Sequence, residues 1–180
     1  MRFFTMFFLL LIGATSISLG QTLRPGKGVG ELTLGMTIDD VTWILGFEGK
    51  RISYDDYLTA SVQSNPKSLP ETKIDFDYCL DYVFIMTLPV EKIFMKDDKV
   101  VMIQLSSFPD YNKILCEDIE TDNGVRFFED ASVLDQHFKK GTAGPSALHS
   151  NLSNIFYYNE GIAFGLEKDK IRAMYIFDPQ

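Results

Sequence analysis

Hydrophobic positions along this chain follow two periods, one helical and one extended. Between Thr37 and Gly46, Ile38, Val41 and Leu45 recur at i, i+3 and i+7, the spacing of one helix face. Between Ile74 and Leu80 the period is two. Ile74, Phe76, Tyr78 and Leu80 face one way, and Asp75, Asp77 and Cys79 the other, which predicts a half-buried strand. Val90–Met95 and Val100–Leu105 flank Lys96-Asp-Asp-Lys99, which reads as a hairpin turn. Ile155–Tyr158, Ile162–Leu166 and Lys170–Phe177 predict three more strands. Glu31–Leu34 and Val125–Phe128 read as short strands, and Tyr54–Val62 as a second helix.

The pattern recurs. Thr37-Ile-Asp-Asp and Ser132-Val-Leu-Asp each put a carboxylate three places after a hydroxyl, the arrangement that satisfies orphan N–H groups at a helix start. Each is followed, nine places on, by a glycine suited to closing a helix, Gly46 and Gly141. Asp98–Leu105 also matches Asp169–Ile176, with Val100/Ile171, Met102/Ala173, Ile103/Met174 and Leu105/Ile176 coinciding. The helix copies are offset by 95 residues (Thr37 to Ser132) and the hairpins by 71 (Asp98 to Asp169). The first unit thus carries 24 extra residues, assigned to the polar stretch 47–72. The expected fold is α+β: two tandem helix-plus-antiparallel-sheet units with helices packed on one sheet face. The units are 21–105 and 121–180, joined by a linker at 106–120.

Residues 1–20 read as a signal peptide, with Arg2 ahead of an apolar run and Ser18 and Gly20 before a cleavage point at Gln21. The run is too short for a membrane span, so a protein exported to the periplasm or secreted is expected, without stable membrane insertion after cleavage. Loss of Arg2 takes the formal charge from −8 to about −9. So acidic a chain lacks the basic surface that nucleic-acid binding requires.

Candidate chemistry is sparse. Gly26-Lys-Gly-Val-Gly30 lacks phosphate-loop spacing, and Gly144-Pro-Ser-Ala-Leu148 lacks the last glycine of a nucleophile elbow. No acidic cluster has a calcium-loop register, and two histidines with two distant cysteines make no zinc pattern. No catalytic residue, metal or cofactor is therefore assigned. Cys79 and Cys116 are either one disulfide of an oxidising compartment or two buried thiols. Tyr54, Tyr57, Tyr78 and Tyr82 are the interaction candidates, because tyrosine gives large, stiff, amphipathic contacts. The other reading is that they line the core.

Leu34, Gly35, Met36, Thr37, Val41, Leu45 and Gly46 form an LGMT-x-x-x-V-x-x-x-LG pattern. It resembles the signature of small exported bacterial modules: the BamE-type (SmpA/OmlA) assembly lipoproteins and the tandem-repeat β-lactamase inhibitory proteins. The resemblance implies helices on one face of an antiparallel sheet, and binding of another protein rather than catalysis. The chain departs from the first group in having no anchoring cysteine near Gln21, and from the second in having no residue-level match to the binding loops. The expected function is a non-enzymatic module that binds an exported or envelope protein through the sheet face or the 47–72 stretch. The alternative is a small-ligand or cell-wall-fragment binder using a groove between the units.

Overall fold

The computed structural model describes residues 21–64, 74–82, 88–108, 113–145 and 152–180. The leader expected at 1–20 lies outside these residues, as does the end of the 47–72 stretch. The largest element is an eight-stranded antiparallel sheet. One half consists of β4 (Lys50–Ser53), β5 (Tyr78–Asp81), β6 (Val90–Lys96) and β7 (Lys99–Ser106). The other consists of β9 (Thr142–Pro145), β10 (Ser153–Tyr157), β11 (Ile162–Glu167) and β12 (Lys170–Phe177). The strand order is β4-β5-β6-β7-β12-β11-β10-β9, so the halves join where β7 pairs with β12 and the outermost strands are β4 and β9. A second, four-stranded sheet has the order β3-β2-β1-β8. It holds β1 (Gln21–Arg24), β2 (Gly28–Val29), β3 (Leu32–Thr33) and, parallel to β1, β8 (Ile119–Thr121).

Local chemistry fixes the two long hairpins. Asp97 and Asp98 between β6 and β7, and Lys168 and Asp169 between β11 and β12, all have φ between 49° and 61°. Two successive positive φ values match the twist of two-residue hairpins, and aspartate tolerates that conformation better than most residues.

The expected α+β arrangement is corrected here: the chain is mostly sheet, with two sheets and four short helices among the described residues. The helices also do not share one sheet face. α1 (Ile38–Leu45), α3 (Lys113–Glu117) and α4 (Leu134–His137) bury Val41, Leu45, Cys116 and Leu134 in a cluster on one face, beneath the small sheet. α2 (Tyr54–Ser64) places Tyr57 in a separate cluster on the opposite face. β8, which spans the end of the expected linker, returns to pair with β1 at the start of the first unit.

The two cap patterns part company. At α1 the Thr37 side chain accepts from the Asp40 N–H (3.3 Å), the Asp40 carboxylate accepts from the Thr37 N–H (3.0 Å), and Gly46 closes the helix at φ 83°. At the second copy a 3-10 turn, Ala131–Val133, leads into the four residues of α4, with no side-chain cap. Phe138 turns extended to pack on Tyr157 and Phe164, at ring distances of 4.7 and 5.3 Å. Burial of that ring ends the helix before Gly141 can. Gly141 instead lies against Ile155, where a Cβ would sit 2.2 Å from the Ile155 methyl.

The alternation from Ile74 also breaks. Ile74 and Phe76 precede β5 and join the cluster on the second face, whereas Tyr78 and Leu80 point to the first. The extra length of the first half is distributed differently from expectation. β4 is a sheet strand matched by β9, and the excess falls mainly at 54–77, against 146–152 in the second half.

Candidate functional site

Of the four tyrosine candidates, only Tyr54 reaches the surface, at 40% exposure. Tyr57 is buried edge-on to Phe76 (5.3 Å) and Phe94 (5.5 Å). Tyr78 is buried, donates to Asp98 Oδ1 (2.8 Å) and carries the Arg51 guanidinium 3.5 Å above its ring. Burial, then the Asp98 contact, push its hydroxyl up to about 12. Tyr82 is buried beneath Phe47, with ring centroids 5.5 Å apart. Burial raises its pKa as well. Three of the four are therefore core residues, and they form no exposed patch.

The possible disulfide is not formed. Cys79 and Cys116 are both free and buried, Cys79 in the cluster on the second face and Cys116 in that on the first. The large sheet lies between them. Burial pushes each thiol up to about 12, far from a reactive thiolate. Among the described residues, no group of His, Cys, Asp and Glu could hold a metal ion. No helix there is long and apolar enough to cross a membrane.

What the sequence reading missed is Trp43. It is 82% exposed, on the side of α1 away from Val41 and Leu45. Four large hydrophobic residues are exposed among those described: Trp43, Phe47, Tyr54 and, elsewhere on α3, Ile114. The first three bracket β4, which among the described residues is an edge strand paired only with β5. Trp43 falls off the i, i+3, i+7 face of its helix, and that was the available signal. An indole held in water on a well-capped helix contributes little to the core, which makes Trp43 a candidate contact residue.

A second polar feature crosses the sheet on the face opposite the small sheet. Direct register aligns Asp81, Lys92, Gln104 and Tyr175 on four successive strands. Lys92 Nζ binds Asp81 Oδ1 (2.8 Å) and lies 3.5 Å from Glu91 Oε1. Burial alone would lower the lysine pKa, but the two carboxylates outweigh it, so the pKa is raised. Gln104 Nε2 donates to Glu91 Oε2 (2.9 Å). The buried Gln104 Oε1 and, on β10, Asn154 Oδ1 have no hydrogen-bond partner.

Compared with protein-family models, curated proteins and solved structures, the chain matches none.

Proposed function

We propose that this chain is an exported, non-enzymatic protein-interaction module whose contact surface is the segment from Trp43 to Tyr54. The carrying observation is that three of the four large hydrophobic residues exposed among those described lie on the chain that enters and leaves edge strand β4. Aromatic side chains flanking an open strand supply the anchors that dominate protein interfaces.

The test is affinity capture from an envelope extract with three baits: the parent chain, Trp43→Ala and Ile114→Ala. Ile114 is an equally solvated apolar residue outside the segment, 74% exposed. A protein captured by the parent and by Ile114→Ala but lost with Trp43→Ala supports the reading. Equal capture by all three baits rejects this surface.

A second reading, small-ligand binding, is favoured by the partnerless oxygens of Gln104 and Asn154, since buried acceptors gain from a donor brought by a ligand. It expects ligands rich in N–H or O–H groups to raise the melting temperature of the parent and not of Gln104→Met.

A further inference from the structure

The partner chemistry at this surface follows from the backbone of β4, given the interaction reading above. The Tyr54 N–H donates to the Asp77 carbonyl (3.1 Å), continuing the β4–β5 ladder by one residue. Antiparallel strands alternate residues that bond their neighbour with residues that face away. Tyr54, Ile52 and Lys50 therefore turn towards β5, while the N–H and C=O of Arg51 and the N–H of Ser53 point outward. No other described strand lies beyond them. An unpaired strand edge is a template for another extended chain.

Charge selects among extended chains. Lys50 and Arg51 are exposed and adjacent, and neither has a carboxylate partner among the described residues. Glu48 precedes the strand and Asp55 and Asp56 open α2; of these, Asp56 is engaged with Ser53, whose hydroxyl donates to Oδ2 at 2.7 Å. A second copy of this chain is disfavoured, because it would set one basic edge beside another and join two molecules of net charge −8. The opposite edge of the sheet is unlike this one. β9 reads Thr-Ala-Gly-Pro, with proline lacking a donor, and no exposed large hydrophobic residue flanks it among those described.

We infer that β4 accepts an extended, acidic segment of a partner protein as a ninth strand, with Trp43, Phe47 and Tyr54 receiving its apolar side chains.

Trp43 is the single tryptophan of the chain, so its emission reports binding directly. The probes are an end-capped peptide alternating Glu and Val, the same peptide with Lys for Glu, and the Glu peptide N-methylated at alternate residues. The Glu peptide is expected to shift Trp43 emission saturably. The Lys peptide and the N-methylated peptide are expected to bind roughly tenfold or more weakly, through charge and through lost ladder bonds respectively. Lys50→Glu/Arg51→Glu should exchange the preference towards the Lys peptide. Lys50→Glu alone, which leaves Arg51 on Tyr78, should weaken the Glu peptide if the double variant does not fold. Glu-peptide binding indifferent to N-methylation, or to charge reversal at Lys50, overturns strand addition. No binding by any peptide, with Trp43-dependent capture of a protein intact, also overturns it and leaves the interaction reading standing. Peptide binding as expected, with capture independent of Trp43, rejects the capture surface and keeps the strand site.

Discussion

Gln104 and Tyr175 sit directly opposite each other at the β7–β12 seam, and they occupy the same place in the two matched hairpins. The sheet on either side of that pair runs outward through four strands in reverse order, so β4 and β9 become its two edges. The seam is buried, and Gln104 is the donor to Glu91 there. Gln104→Ala leaves that carboxylate one donor short, and is expected to cost about 1–3 kcal/mol. Urea unfolding of the two proteins measures it, and a change within error would show that the seam tolerates the loss.

Tyr78 predicts an alkaline limit. Its folded-state pKa of about 12 exceeds the ordinary 10. A raised folded value contributes stability that is whole below the unfolded pKa and is lost as pH rises through the folded one. Stability should therefore fall between about pH 10 and 12, and Tyr78→Phe should make that decline shallower. Part of the decline should persist, because burial also raises Tyr82, Tyr157 and both cysteine thiols. Chemical denaturation at stepped alkaline pH reads both curves, and superimposable declines would remove Tyr78 as a cause.

Both thiols should be silent in the folded protein. Cys79 and Cys116 are buried, with pKa values near 12 by burial. At pH 8 an aromatic disulfide reagent should release no thiolate in native buffer and two equivalents in denaturant, matching the two cysteines of the chain. An oxidised pair, with no equivalent released in denaturant, would contradict the placement on opposite faces.

Exposed and buried aromatics should separate cleanly. Phe94 lies 4.9 Å from Phe76 and 5.5 Å from Tyr57, both edge-on, at the centre of the cluster beneath α2. Phe94→Ala should cost about 3–5 kcal/mol. Trp43→Ala should stay within about 0.5 kcal/mol, as a surface substitution with no core contact. Thermal and urea unfolding of the pair check this. A large loss at Trp43 would mean that the indole belongs to the fold and not to a partner.

These contrasts show what the sequence made legible. Apolar runs of six to eight residues bounded by polar turns located β6, β7, β11 and β12, because such short runs between turn signals suit strands better than helices. The Thr37–Gly46 signals located α1, because all of its capping contacts are local. The class of the fold was not legible, since nothing local encodes that β7 and β12 would merge two four-strand sets into one sheet. Tyr57, Tyr78 and Tyr82 read as contact or as core residues because tyrosine suits both, and only tertiary packing decides for the core. Lys50–Ser53 falls in the stretch assigned to an insertion because three polar residues around Ile52 carry no strand signature, yet their position as the sheet edge is what makes them a candidate surface.

The two cap sequences allow the sharpest comparison, since they look alike and act differently. Thr37 exchanges hydrogen bonds with Asp40, whereas Ser132 lies exposed in a 3-10 turn with no side-chain cap. Thr37→Ala should cost about 1 kcal/mol, the usual loss of an N-cap, and Ser132→Ala less than about 0.5 kcal/mol. The first effect should depend on pH. The hydrogen bonds from Thr37 hold the Asp40 carboxyl below its ordinary 3.8. A depressed folded value contributes stability that is present above the unfolded pKa and is lost as pH falls through the folded one. The difference between the parent and Thr37→Ala should thus be constant from neutral pH down to about 4 and narrow below it, while Ser132→Ala tracks the parent throughout. Urea midpoints at stepped acid pH decide the matter. Equal losses at Thr37 and Ser132 would mean that hydroxyl-to-carboxylate spacing, rather than the capping contacts seen at α1 alone, sets the stability of both segments.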